Sequence, residues 1–280
     1  MLIVDSQVHA WERGEATGHH RKAPITVEVL IDAMTTAGID RVVLVPPLWD
    51  PDGNAYSLAA ALRHPEKFAV VGLLPLDRPD SRERLASWKQ QPGMLGIRFL
   101  FNTPDRLAPL VAGELDWVWP IVEAAALPVM ILIPGALPLV AGIAERCPGL
   151  RIIVDHLGVP RGASGPAAFA HLPELTALRR FPNVAVKAAG VGDYASDPYP
   201  YRSLDAPLRR VFDAFGPDRL IWASDLSRLR HSYGECVTHF TWLPWLTPSD
   251  REKIMGLNVC RWLGWEVALV ERRRGESVHG

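Results

Sequence analysis

The feature that most constrains the fold is a series of eight short apolar runs, separated by longer and mostly amphipathic segments. Helix-like segments such as Ile25–Gly38 and Leu204–Phe215 lie between the runs. Strands that alternate with helices indicate parallel β–α units, and eight units in about this length are typical of a single (β/α)8 TIM barrel, an α/β fold. The runs are Leu2–Val8, Arg41–Val45, Val70–Pro75, Leu95–Leu100, Val129–Ile133, Ile152–Val154, Val184–Val186 and Leu220–Trp222.

The sequence predicts one domain. No linker rich in Gly, Ser or Pro divides the 280 residues, so we expect a barrel over residues 1–265 and a charged C-terminal tail over 266–280. A doubly wound sheet is the main alternative. A G-x-G-x-x-G turn after the first strand would favour it, and none occurs there. Thr26 and Gly38 are predicted to begin and end the first helix, and Asn54 to cap the second.

Composition narrows the range of partners. The formal net charge of −1 gives no indication of a nucleic-acid or membrane partner. The three cysteines, Cys147, Cys236 and Cys260, are far apart and are expected to be reduced thiols, and no secretory signal is evident, which together predict a cytoplasmic protein. Ten tryptophans suggest an aromatic-lined cavity or a homodimer interface, although most of them are expected to fill the core.

Polar and ionisable residues follow the apolar runs at corresponding places. In the first run, LIVDSQVHAW, the period of two places Asp5, Gln7 and His9 on one face, which in a closed barrel is the interior. Because active sites of such barrels lie at the carboxyl ends of the strands, we expect the set to converge on one cavity. The residues are Gln7, His9, Arg98, His156, Lys187 and Asp225.

This combination suits the attack of water on an ester or lactone of an acidic substrate. A carboxylate such as Asp225 can accept a proton from water, and histidines with a lysine can polarise a carbonyl group. An arginine such as Arg98 suits a substrate carboxylate. Each residue also has an ordinary explanation: Asp225 could cap a turn, His156 could be a core histidine, and Arg98 could pair with a structural carboxylate.

Five stretches resemble the amidohydrolase superfamily, and most closely its amidohydrolase-related branch, which includes the 2-pyrone-4,6-dicarboxylate lactonases and several decarboxylases. The similarity covers Leu2 to Trp265. The stretches are LIVDSQVHAW at Leu2–Trp11, VDHLG at Val154–Gly158, VKAAG at Val186–Gly190, RLIWASD at Arg219–Asp225 and MGLNVCRWLGW at Met255–Trp265.

The chain departs from the metal-dependent members of that family at two ligand positions. Those members carry H-x-H at the end of the first strand, where this chain has Gln7 and His9. They also carry a histidine after the fifth strand, which here reads VMILIPG. Since catalytic zinc normally needs three good protein ligands, the sequence predicts no metal cofactor. One divalent metal such as zinc or manganese, held by His9, His156 and Asp225, is the alternative.

The resemblance implies a metal-independent hydrolase that opens a small carboxylated lactone in aromatic or sugar-acid catabolism. It implies Asp225 as the base that activates water, His9 and His156 as groups that polarise the carbonyl, and Arg98, in the stretch GIRF, as the carboxylate binder. Gln7, Lys187 and Tyr194 complete the predicted set as substrate-binding residues. Two alternatives stay open: a metal-dependent hydrolase or non-oxidative decarboxylase of an aromatic acid, and a barrel that has lost catalysis and only binds a ligand.

Overall fold

Each apolar run forms a strand in the computed structural model, which describes residues 1–266. The eight strands are parallel and follow one another in chain order around the sheet, which confirms the predicted (β/α)8 barrel. The predicted tail lies outside the described residues apart from Glu266. The strands are β1 (Val4–Val8), β2 (Arg41–Leu44), β3 (Phe68–Leu73), β4 (Met94–Leu100), β5 (Val129–Leu132), β6 (Ile152–Val154), β7 (Val184–Ala189) and β8 (Leu220–Ala223).

The barrel closes between β1 and β8 through a seam of side-chain and backbone hydrogen bonds. The Ser6 hydroxyl donates to the carbonyl of Trp222 at 2.6 Å. The Ser224 amide donates to the Asp5 carboxylate at 3.0 Å, and the Asp225 amide donates to the carbonyl of Gln7 at 3.1 Å. These contacts satisfy polar groups that a buried sheet edge would otherwise leave unpaired.

Helices cover the outside of the strands. Thr26 and Gly38 cap the first helix as predicted: the Thr26 hydroxyl accepts from the Val29 amide, and Gly38 ends the helix in the left-handed region. The described helices are α1 (Val27–Ala37), α2 (Asn54–Arg63), α3 (Ser81–Ala86), α4 (Pro104–Val111), α5 (Val118–Ala124), α6 (Leu137–Arg146), α7 (Leu172–Ala177), α8 (Asp205–Phe215), α9 (Tyr233–Thr241), α10 (Pro248–Glu252) and α11 (Asn258–Leu263).

The prediction that Asn54 caps the second helix is wrong. Asn54 is the first residue of α2, and Gly53 precedes it as the cap. The Asn54 side chain instead donates to the carbonyl of Leu73 at 2.8 Å and accepts from its amide at 2.9 Å. It therefore ties the start of α2 to the end of β3.

The amino-terminal end of the barrel interior is filled by apolar side chains and closed by the last helix. A π-helical turn, Lys253–Leu257, joins α10 to α11, so this last helical segment of the described residues is not regular. Gly256 in that turn packs so closely on the start of β1 that an added Cβ atom would lie 2.4 Å from the Leu2 carbonyl oxygen. No helix among residues 1–266 is long and apolar enough to cross a membrane.

Candidate active site

A cavity of about 600 Å³ opens at the carboxyl ends of the strands. Five of the seven predicted site residues line it, on four different strands or the turns that follow them. The cavity is therefore in the place where active sites of such barrels lie. The five residues are Gln7, His9, Arg98, His156 and Asp225.

The expectation that Asp5 shares a face with Gln7 and His9 is wrong. The pairing of β1 with β2 shifts register between Asp5 and Val8, and this shift breaks the simple period of two. Asp5 does not line the cavity and instead accepts a hydrogen bond from the Tyr233 hydroxyl of α9 at 2.7 Å. It lies fully buried in the seam between β1 and β8.

Asp225 lies between two imidazoles. Its Oδ1 is 3.4 Å from His9 Nε2, and its Oδ2 is 3.7 Å from His156 Nε2. Burial raises the pKa of the Asp225 carboxyl, but the neighbouring His156 and His9 and the Arg228 guanidinium outweigh burial and hold that pKa below its ordinary value. The carboxylate is therefore ionised at neutral pH and able to accept a proton.

Backbone strain is concentrated at two of these residues. Asp225 has a φ of 53° and His156 a φ of 53°, both in the left-handed region. Residues other than glycine rarely occupy that region, although Asp and His tolerate it better than most, and such strain is frequent at functional sites. The two turns after β6 and β8 thus aim their polar side chains into the cavity at some cost in stability.

His9 and His156 are held as neutral imidazoles. Burial lowers the pKa of His9 to about 4 and that of His156 to about 3. Each ring places Nδ1 against a backbone carbonyl, that of Val45 at 2.6 Å for His9 and that of Ala189 at 3.3 Å for His156. The single proton of each neutral ring is thereby placed on Nδ1, which leaves both Nε2 atoms without a proton.

Arg98 and Lys187 share one buried carboxylate. Arg98 Nε lies 2.6 Å from Asp155 Oδ2, and Lys187 Nζ lies 2.7 Å from Asp155 Oδ1. Burial raises the pKa of Asp155, but the two cations outweigh it and bring that pKa to about 2. Arg98 lines the cavity, whereas Lys187 is wholly buried below it and contacts the sulfur of Met130.

Tyr194 does not line the cavity either. It is buried, and its hydroxyl accepts a hydrogen bond from Arg228 Nη1 at 3.1 Å. The Arg228 guanidinium also lies over the Tyr194 ring, 5.2 Å from its centre. Arg228 itself lines the cavity, so Tyr194 reaches the site through that arginine.

Several cavity residues are on loops that the strand-end argument could not reach. Arg228 and Arg230 follow Asp225 closely in the stretch SDLSRLRH, and this short separation could have indicated that they reach the same cavity. His19 lies in the long loop between β1 and α1, where no period places a side chain. The further lining residues on loops are His19, His20, Arg161, Arg228 and Arg230, and Arg106 reaches the cavity from α4.

Three of the lining residues could hold a metal ion. One donor atom each from His9, His19 and Asp225 lies within 4.8 Å of the other two. Two nitrogen donors and one carboxylate oxygen are ligands typical of zinc and related divalent ions. His156, which the sequence placed in the alternative metal site, does not belong to this trio.

Two named relatives are similar to this chain in sequence. The chain is 28% identical over 285 residues to L-fucono-1,5-lactonase of Burkholderia ambifaria, covering 92% of this chain and 93% of the relative. It is 27% identical over 216 residues to 4-sulfomuconolactone hydrolase of Hydrogenophaga intermedia, covering 71% of this chain and 64% of the relative.

Solved structures share the fold. An amidohydrolase of Burkholderia multivorans, solved once with bound HEPES and once with bound zinc, superposes with a TM-score of 0.80 at 22% identity, covering 94% of this chain and 99% of that one. The model of the family described as amidohydrolase matches residues 4–265, nearly the whole described chain. The chain therefore belongs to the amidohydrolase family of enzymes.

Proposed function

We propose that this enzyme hydrolyses a small lactone that carries at least one negatively charged group. The observation that carries the proposal is the composition of the cavity at the strand ends. Five arginines line it, against two carboxylates, Asp193 and Asp225, among the described residues. A site with this excess of guanidinium groups attracts anions and binds carboxylates through paired hydrogen bonds.

The relatives support a lactone as the substrate class. Two of them are named for lactone hydrolysis, one of a sugar lactone and one of a sulfonated muconolactone. The first of these substrates is neutral and the second is anionic. The arginine content of this cavity favours the anionic class.

Asp225 is the base in the proposed reaction. Its ionised carboxylate takes a proton from water while the water oxygen attacks the lactone carbonyl carbon. The ring C–O bond then breaks, and the proton held by Asp225 passes to the departing ring oxygen. The products are a hydroxyl or enol group and a carboxylic acid, which releases the second proton of the water to solvent and becomes a carboxylate.

The structure changes the roles we propose for the two strand-end histidines. The sequence assigned His9 and His156 to carbonyl polarisation. Their Nδ1 protons are used on backbone carbonyls, so neither neutral ring presents a proton to the substrate. We therefore propose that the guanidinium groups of Arg98 and Arg228, and not these two imidazoles, donate to the substrate.

In this proposal Lys187 and Tyr194 do not touch the substrate and act through other residues. Lys187 holds Asp155, which fixes Arg98, and Tyr194 supports Arg228. Gln7 donates from its amide to His156 Nε2 at 3.2 Å and so fixes that ring. These residues position the groups that touch the substrate.

The test is a panel of lactones in matched pairs, each ring offered with and without a carboxylate. Hydrolysis is followed as proton release at constant pH, with and without a chelator. We expect turnover of the carboxylated members with kcat/KM at least about tenfold above their neutral partners. Release of carbon dioxide from an aromatic acid, with no lactone hydrolysed, would contradict the proposal and favour a decarboxylase.

A further inference from the structure

The environment of His9 contains an electrostatic mismatch. Its Nδ1 donates to the Val45 carbonyl at 2.6 Å, which leaves Nε2 as a bare lone pair. That atom faces Asp225 Oδ1 at 3.4 Å, and Asp225 Oδ1 is buried without a hydrogen-bond partner among residues 1–266. Two acceptors therefore face each other with no donor between them.

The distance between these atoms fits a shared cation better than a shared proton. A charge-assisted N–H···O bond is about 2.7–2.9 Å long. Two ligands of a tetrahedral zinc ion, each about 2.0–2.1 Å from the metal, lie about 3.3 Å apart. The observed 3.4 Å matches the second value. A histidine whose Nδ1 is fixed on a backbone carbonyl is also the usual form of a metal ligand.

The loop between β1 and α1 supplies a third donor. The His19 ring packs against the rings of Trp49 and His9, with centres 4.9 and 5.3 Å away. Its Nδ1 lies 2.9 Å from the hydroxyl of Ser227, two residues after Asp225, which leaves Nε2 available. The amide of Arg21 donates to the Ser227 carbonyl at 3.0 Å and ties the same loop to the turn after β8. His19 is thus held beside Asp225 by contacts on both sides.

We propose that His9, His19 and Asp225 form a binding site for one divalent transition-metal ion, and that His19 supplies from a loop the imidazole that Gln7 lacks on the strand. The three donor atoms already lie within 4.8 Å of one another. His156 is excluded as the third ligand because its Nε2 accepts from the Gln7 amide. Three protein ligands leave a position for water or substrate, as in catalytic zinc sites.

Only the catalytic role of this metal site rests on the proposed lactone hydrolysis, in which a bound metal would polarise the carbonyl oxygen as a Lewis acid. Binding itself is tested without substrate. The purified protein is stripped with a chelator, desalted and dialysed against zinc ions alone. Bound metal is counted by elemental analysis, and affinity is measured by competition with a chromophoric chelator.

We expect one zinc ion per chain. His19→Ala should weaken zinc binding about 100-fold or more, since even residues behind metal ligands contribute about 10- to 100-fold. His20→Ala is the matched control, because that neighbouring imidazole also lines the cavity but accepts from Arg230 Nε at 2.7 Å. His20→Ala should bind zinc as the parent does. Circular dichroism checks that each variant is folded.

Two results would overturn the site: a parent protein that binds no zinc, or a His19→Ala variant that binds zinc as tightly as the parent. The outcome is separable from that of the proposed function. A protein that hydrolyses lactones but binds no zinc disproves the metal site alone. A protein that binds zinc through His19 but opens no lactone disproves the function alone.

Discussion

The two ends of the barrel interior are built from the same strands but carry opposite kinds of side chain. On β8, Ile221 belongs to the apolar cluster at the amino-terminal end, and Asp225 four residues later lies in the cavity. On β6, Ile153 belongs to the apolar cluster, and Asp155 two residues later holds two cations. Inward-facing positions alternate along each strand, so a single period delivers apolar and polar groups to the two ends.

A buried ionic layer separates these ends. Lys187, Asp155 and Arg98 lie between the apolar cluster and the cavity, with Lys187 touching Met130 on one side and Arg98 lining the cavity on the other. Such charges cost free energy to bury and persist only when paired. One end of the interior is therefore held by close packing, which has no preferred direction, and the other by paired charges, which fix the direction of side chains.

The largest effect is expected from Asp225→Asn, which tests the catalytic role of the polar end of the barrel interior. Asparagine keeps the shape of the side chain and tolerates the left-handed backbone at this position, so the fold should be retained. It cannot accept a proton from water, so we expect kcat to fall by about 10²- to 10⁴-fold. Steady-state kinetics on a hydrolysed lactone measures the loss, and thermal unfolding checks the fold.

Asp193→Asn is the matched control for that variant. Asp193 is the other carboxylate that lines the cavity, and it accepts from the Arg230 amide at 3.3 Å. We expect less than about a tenfold loss of kcat, since it is not the proposed base. Equal losses in the two variants would remove the special role of Asp225.

Ile221→Ala tests the opposite end of β8. The side chain is wholly buried among the apolar residues of the barrel interior. Truncation should lower the free energy of unfolding by about 2–5 kcal/mol, because it removes buried surface and leaves a cavity. Below the unfolding transition kcat should stay close to that of the parent. A variant with normal stability and impaired kcat would show that the two ends are not separable.

The fold was predictable because it depends on repeated local patterns. Eight apolar runs specified eight strands, and their order followed from the β–α repeat. The positions just after the strands were predictable for the same reason, and five of the seven predicted site residues line the cavity. The failures have two causes. A register shift in β1 turned Asp5 away, and a loop with no period carried His19 into the site.

Asp5 gives a prediction about pH. Burial raises the pKa of this carboxyl from 3.8 to about 6, even though Ser224, Tyr233 and Gln7 donate hydrogen bonds to it. A carboxyl whose pKa is raised on folding stabilises the protein below its unfolded pKa, and this stabilisation is lost as the pH rises through the folded value. The loss should amount to about 2.4 kcal/mol between pH 4 and 7.

The Asp5→Asn variant isolates this contribution, because asparagine keeps an oxygen acceptor but does not titrate. Denaturant unfolding at several pH values gives the difference in unfolding free energy between the parent and the variant. The parent should lose stability relative to the variant as the pH rises from 4 to 7. Parallel pH profiles for the two proteins would show that Asp5 does not carry a raised pKa.

The smallest expected effect is the loss of kcat/KM on substitution of Arg98, the residue of the ionic layer that lines the cavity. Arg98 is held through Nε by Asp155, so its remaining nitrogens keep a fixed direction at the cavity wall. If they bind a substrate carboxylate, Arg98→Ala should lower kcat/KM about 30-fold, or about 2 kcal/mol, for a carboxylated lactone. The same ring without the carboxylate should lose much less. Arg98→Lys should recover little, because an ammonium group cannot hold Asp155 and donate in a fork as guanidinium does. Equal losses on the charged and the neutral lactone would assign Arg98 to the structure of the layer and not to substrate binding.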